Sequence, residues 1–351
     1  MYKYYVTIAV MLSIFFTPSL SQHTYKGNKH NAAAPSLAAD NNKVYMVYAL
    51  GDTILFCSSD NNGKDFSAPM QAIVLSQLST GGGRGPQIAV TNDKMIIAGV
   101  DKVGNIYSFI RNKNEIQWKK GGRINDVPGV AKEGFVSLAS NENGEVYAVW
   151  LDLRNNNKNK IAGAKGSDGG KTWSKNRIIY TSPGGTVCEC CKPSVQMRNK
   201  VIAVMFRNWL NGNRDLFITK SEDGGQSFDK AKQLGEGNWK LNACPMDGGG
   251  LIINNNNTIT TVWRREADIY LCEVGKGEKK ITVGKQCTIA GNNNNTFITY
   301  INNGRVYCMK PDRSIVELGT GIYPQLIQTG QETVVCAWQQ ERQVGYAMLN
   351  K

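Results

Sequence analysis

One pattern recurs seven times along the chain and limits what it can fold into. "PSLAADNNKVYMVYA" begins at residue 35, "PQIAVTNDKMIIAGV" at 86, "FVSLASNENGEVYAVW" at 135 and "PSVQMRNKVIAVMF" at 193. "PMDGGGLIINNNNTITTVW" follows at 245, "CTIAGNNNNTFITYI" at 287 and "PQLIQTGQETVVCAW" at 324. Each is a short apolar run, a polar turn rich in Asn, Asp or Gly, and a run of β-branched and aromatic residues. That is the signature of a β-hairpin. A third strand follows most copies, as in "DTILFCSS", "NIYSFIRN" and "DLFITKSE". No segment of useful length has helical periodicity. Four-stranded units at this spacing predict an all-β fold, a β-propeller of four-stranded antiparallel blades. The repeat count favours seven blades, with six as the alternative if the short sixth unit is irregular. The last unit stops after its third strand, so the extension Gln22 to Asn31 is expected to supply the fourth and close the ring.

The first 21 residues read as a cleavable signal peptide: Lys3, an apolar stretch from Val6 to Phe16, then Ser19-Leu20-Ser21. Residues 22–351 then form one propeller domain, secreted or periplasmic. No later stretch is long and apolar enough to span a membrane. The formal charge of +13 suits an anionic ligand or surface. Basic residues are scattered, without a Lys/Arg block interleaved with aromatics, so no nucleic-acid partner is expected. A monomer is expected.

Histidine is confined to His23 and His30. A Ser-His-Asp triad, a Cys-His pair and an HExxH zinc site within the repeats are therefore excluded. No cofactor is called for. Chemistry must rest on Asp, Glu, Tyr, Arg, Lys or Cys.

Three turns after third strands are alike: "SDNNGKDF" at 59–66, "GSDGGKTW" at 166–173 and "SEDGGQSF" at 221–228. An Asp or Asn that accepts backbone N–H groups, a glycine free to take positive φ and a closing aromatic describe a structural turn. A calcium loop of the EF-hand kind would need a twelfth-position Glu between helices, and has neither. These turns are similar to the Asp boxes of the sialidase (neuraminidase) superfamily and other BNR-repeat propellers, and the resemblance covers nearly the whole mature chain. It implies an exo-α-sialidase-type glycoside hydrolase or a non-catalytic propeller that binds an anionic glycan.

Strands alternate in direction. The residues just before each repeat and just after each second strand therefore share one rim, and the Asp-box turns lie on the other. The first rim collects Arg84, Glu133, Lys192, Cys244 and Tyr323 before the repeats. Asp101, Asp152, Arg207, Arg264 and Glu266 follow the second strands. Clustered guanidinium groups suit carboxylate, phosphate or sulfate. The sialidase resemblance implies Arg84, Arg207 and Arg264 as the three arginines that hold the substrate acid. It implies Tyr323 as nucleophile with Glu133 or Glu266 beside it, and Asp101 or Asp152 as acid/base, outside the two-carboxylate rule. Lys192 stands where sialidases carry a Glu. Asp247 precedes three glycines that would let backbone approach a ligand closely, and with Glu189 and Lys192 it adds polarity to a ligand pocket.

Of nine cysteines, Cys57, Cys272, Cys308 and Cys336 sit in apolar strands and read as buried thiols. "VCECCKP" and "NACPMDGG" occupy successive repeat starts, which brings Cys188, Cys190, Cys191 and Cys244 towards the axis. The first expectation is a disulfide from Cys190 or Cys191 to Cys244. The alternative is a thiolate metal or redox site.

Overall fold

The computed structural model describes residues 21–23, 32–141, 143–292, 295–341 and 343–351. Residues 1–20 of the expected signal peptide 1–21, and residues 24–31 of the expected closing extension, lie outside them. The described chain forms seven four-stranded antiparallel sheets and no helix, a seven-bladed propeller. The first blade runs Ser36–Asp40, Lys43–Leu50, Thr53–Ser59 and Met70–Val74, from the axis outwards. The other inner strands are Gln87–Val90, Val136–Ser140, Ser194–Arg198, Gly250–Ile253, Lys285–Asn292 and Ile322–Thr329. Each touches the inner strands on either side, and the ring closes between the first and the last.

The seventh blade takes its outer strand from the other end of the chain. Ser21–His23 pairs antiparallel with Gln343–Asn350, with Ser21 opposite Tyr346. This closure hides the edge that a chain ending on its third strand would expose. The sixth unit is a full blade, which settles the count at seven.

The core lies between the blades. Strands alternate their side chains, and both faces of each blade are covered by neighbours, so second strands read almost continuously apolar. In "VYAVWLD" of the third blade every residue is buried. Val47 and Phe56 pack on Ile88 and Ile97 of the next blade, and Tyr147 and Val149 pack on Val204 and Phe206. Each fully buried aliphatic or phenyl side chain contributes about 1.5–3 kcal/mol. Cys57, Cys272, Cys308 and Cys336 belong to these clusters as small apolar groups.

The Asp-box turns fasten blade to blade. Gln226 and Ser227 donate their N–H groups to Asp223 Oδ1 at 2.9 Å, and the Ser227 hydroxyl donates to Oδ2 at 2.6 Å. Lys171, Thr172 and Asp168 repeat the arrangement. Gly225 has φ +89°, and a Cβ there would sit 2.3 Å from the Tyr147 ring of the preceding blade. Gly63 meets Val335 in the same way. The turn can close only with a residue that tolerates positive φ and has no side chain.

Candidate functional site

An axial cavity of about 820 Å³ runs between the inner strands of all seven blades. Many of its polar side chains are already engaged in building the ring. Ser36 Oγ accepts the Ile88 N–H, Ser137 Oγ donates to Pro193 O, and Ser194 Oγ donates to Gly249 O. Each bond joins one inner strand to the next blade. Gln87 and Gln325 donate their amides to the preceding proline carbonyls.

Lys192 and Asp247 differ from this background. Lys192 lines the cavity and its ammonium donates to Gln87 Oε1 at 3.3 Å. Removal from bulk water lowers its pKa to about 8, and no carboxylate acts on it. It is therefore cationic at neutral pH, at an energetic cost. Asp247 is 2% exposed. Its Oδ2 accepts the Gln286 N–H at 2.6 Å, and its Oδ1 has no hydrogen-bond partner. Burial raises its pKa, while Arg207 and the Gln286 N–H oppose the rise.

The glycines after Asp247 serve the ring rather than a ligand. A Cβ on Gly248 would lie 2.1 Å from the Lys192 carbonyl oxygen, and one on Gly249 would lie 2.5 Å from Val262 O. This close approach sets the Asp247 segment against the Lys192 segment. Tyr323 completes the rim. Its N–H donates to Gln286 Oε1 at 2.9 Å, and its ring covers Gly83. Burial raises the phenol pKa, opposed by Gln286 and by the charge of Arg84. Met246, Gln286 and Tyr323 all hold φ near +53°. For residues other than Gly and Asn that backbone costs about 1–3 kcal/mol each, a strain that recurs at ligand sites.

The other nominated residues are placed differently. Arg207 is 1% exposed, and its guanidinium donates to the carbonyls of Asp247, Arg214 and Arg264. It braces the wall rather than facing the cavity. Arg264 lies over Trp239, on which Arg207 also packs. Arg84 lies over Phe135, which lines the cavity, and donates to the carbonyls of Glu133 and Gly81. Glu133 accepts from Asn159. The three arginines expected to converge on one acid group do not do so.

Neither expected acid is free. Asp101 caps its own turn through Gly104 N–H, Asn105 N–H and the Asn105 amide. Asp152 is fully buried and accepts from Trp150 and three times from Arg154. Gln286 and Met246 were not nominated. Gln286 sits directly before the repeat at 287, so the positional rule that found Tyr323 also reaches it.

The cysteines gather on the wall of the same cavity. Cys188 Sγ lies 3.6 Å from Cys190 Sγ and 3.5 Å from Cys191 Sγ. All three are buried, and Cys190 reaches the cavity. Arg214 donates to Cys188 Sγ at 3.0 Å and pairs with Glu189 at 3.3 Å. Hydrogen bonds from Cys190 and Cys191, together with the Arg214 charge, pull the Cys188 thiol well below its ordinary range. The expected disulfide is not formed: the structure holds all nine cysteines as free thiols. Cys244 is exposed, and its Sγ lies 3.8 Å from Glu189 Oε1 instead.

No protein-family model and no curated protein matches the sequence. Solved structures match its fold. A catalytically inactive His-to-Ala variant of virginiamycin B lyase from Staphylococcus aureus, bound to quinupristin, aligns with TM-score 0.54 and 14% identity, over 94% of this chain and 99% of that one. Polysaccharide lyase Uly1 aligns with TM-score 0.60 and 8% identity, over 96% and 94%. The SapL1 lectin, in complex with α-methyl fucoside, aligns with TM-score 0.50 and 14% identity, over 82% and 95%. At these identities the shared property is the propeller.

Proposed function

We propose that the chain is a sialidase-like propeller that binds a terminal acidic sugar of a glycan in its axial cavity. The observation that carries this reading is Lys192, a cation enclosed in a polar cavity with no carboxylate opposing it. An anionic ligand would return the favourable interaction that burial removed. Tyr323 offers a ring face to a pyranose at the same rim, and the net charge of +13 favours the approach of anionic glycans. The polysaccharide lyases and the lectin sharing the fold support a saccharide as the ligand class. Lyase chemistry of the virginiamycin B kind is not proposed. That enzyme is inactive without a histidine, and here the only histidines, His23 and His30, precede the first inner strand.

The test is calorimetric titration of the purified chain with sialyllactose and with lactose, beside Lys192→Met. The proposal expects the acidic sugar alone to bind, and the variant to lose at least tenfold in affinity. Equal binding of both sugars, or an unaffected variant, would reject it.

Hydrolysis of the bound sugar is a second reading, favoured by one observation. Asp247 lines the cavity, burial raises the pKa of its carboxyl, and its buried Oδ1 has no hydrogen-bond partner, the setting in which a carboxyl can act as a general acid. Tyr323 would be the nucleophile. Release of fluorophore from a sialoside, abolished by both Tyr323→Phe and Asp247→Asn, supports it; binding without turnover leaves a lectin-like protein. We further propose that the chain acts outside the cytoplasm after losing residues 1–21. An exported chain whose first residue is not Gln22 would contradict that.

A further inference from the structure

The three-cysteine cluster is a different kind of site from the saccharide cavity, and its geometry does not depend on that reading. Three sulfur atoms lie within 4.8 Å of one another, and no other Cys, His, Asp or Glu joins that set among the described residues. Their two shortest separations, 3.5 and 3.6 Å, far exceed a disulfide bond of about 2.05 Å. A metal about 2.3 Å from each of three sulfurs would hold them about 3.8–4.0 Å apart. Both separations from Cys188 are within a few tenths of an ångström of that arrangement, and the third pair lies within 4.8 Å.

The surroundings also suit a metal–thiolate centre. Arg214 is 4% exposed and aims one N–H at Cys188 Sγ. A neutral thiol is a poor acceptor for a buried guanidinium, whereas metal-bound thiolate sulfur is a good one. The Asp247 N–H points at Cys191 Sγ from 3.4 Å. Met246, a thioether, is the partly buried side chain packed against the three cysteines. Packing alone accounts for the lone thiols of the blade interfaces. It does not account for three adjacent sulfurs facing a cation and an N–H donor.

We propose that Cys188, Cys190 and Cys191 bind one copper(I) ion in a three-coordinate thiolate site on the wall of the axial cavity. The choice of ion follows from the donors. Soft sulfur ligands select copper(I), zinc or iron–sulfur clusters. A structural zinc site takes four ligands, and here three sulfurs converge. Cys244, the remaining candidate, is exposed and turned towards Glu189. Copper(I) enters without change of oxidation state, and the thiol protons it displaces pass to solvent.

The experiment loads the reduced full chain with copper(I) under argon, with bicinchoninate as competitor, and measures copper per chain after desalting. Cys188→Ser and Cys191→Ser are compared with Cys336→Ser, which removes a thiol buried elsewhere. The proposal expects one copper per chain, a near-ultraviolet sulfur-to-copper absorption band, and a rise in melting temperature on loading. Cys336→Ser should keep all three, while Cys188→Ser and Cys191→Ser lose them yet melt cooperatively without copper. Failure of the wild-type chain to hold copper against the competitor would overturn the proposal. So would full loading of Cys188→Ser, or one zinc retained in preference to copper.

Discussion

Asp223 and Asp247 stand on opposite rims of the same propeller. The first has its carboxylate filled by two backbone N–H groups and two hydroxyls, within one turn. The second is buried with one oxygen unpartnered. The backbone shows the same contrast. Positive φ in the Asp-box turns falls on Asn62, Gly63, Gly170 and Gly225, which accept it at little cost. Where the chain enters the inner strands of the last three blades it falls on Met246, Gln286 and Tyr323, which do not. One rim is built to hold blades together. The other retains strain, an unpaired carboxyl oxygen, an enclosed ammonium and clustered thiols, as binding surfaces do.

The largest expected effect probes the boundary of this division. Arg207→Ala would take the guanidinium donor from three wall carbonyls, two of them in buried contacts, and leave a cavity in the wall, costing about 3–5 kcal/mol by chemical denaturation. If the variant kept its stability and lost only sugar binding, Arg207 would belong to the site after all. Gly225→Ala should cost about 2–4 kcal/mol, from positive φ and the clash with Tyr147, with affinity unchanged in whatever fraction folds.

Lys192→Met should do the opposite: little change in melting temperature and at least a tenfold loss of affinity for an acidic sugar. The wild-type pH profile sharpens this prediction. Lys192 titrates near pH 8, so affinity should hold below that pH and fall as the ammonium deprotonates above it. A profile flat to pH 10 would remove Lys192 from the site. Asp223→Ala should have the smallest effect, a modest drop in melting temperature with no change in binding. Hydrogen bonds from Ser227 hold that carboxyl below its ordinary range. Its stabilisation is therefore present above the unfolded-state pKa and lost as pH falls through the folded one, so variant and wild type should converge in strong acid.

The fold was legible because its evidence is local. A hairpin pattern and a Ser-x-Asp-x-Gly turn are complete within about fifteen residues, and seven copies in phase leave few architectures. The rim was legible too, because strand alternation fixes which ends meet: Lys192 and Tyr323 lie where that rule puts them. What the sequence could not show is which charges are already engaged. Asp152 looks free until Trp150 and Arg154 close on it, and Arg207 until carbonyls from 7, 40 and 57 residues away meet its guanidinium. Arg214 reaches Cys188 across 26 residues, and no motif announces it. The expected disulfide failed for the same reason, since adjacency of repeat starts does not fix where a side chain points.

The central claim is that ligand recognition belongs to the rim where the inner strands begin. Hydrogen-exchange footprinting of the chain saturated with sialyllactose tests it most directly. The account predicts slowed exchange in the segments around Lys192, Asp247, Gln286 and Tyr323, and none in the turns at 59–66, 166–173 and 221–228. Protection confined to those turns would contradict it.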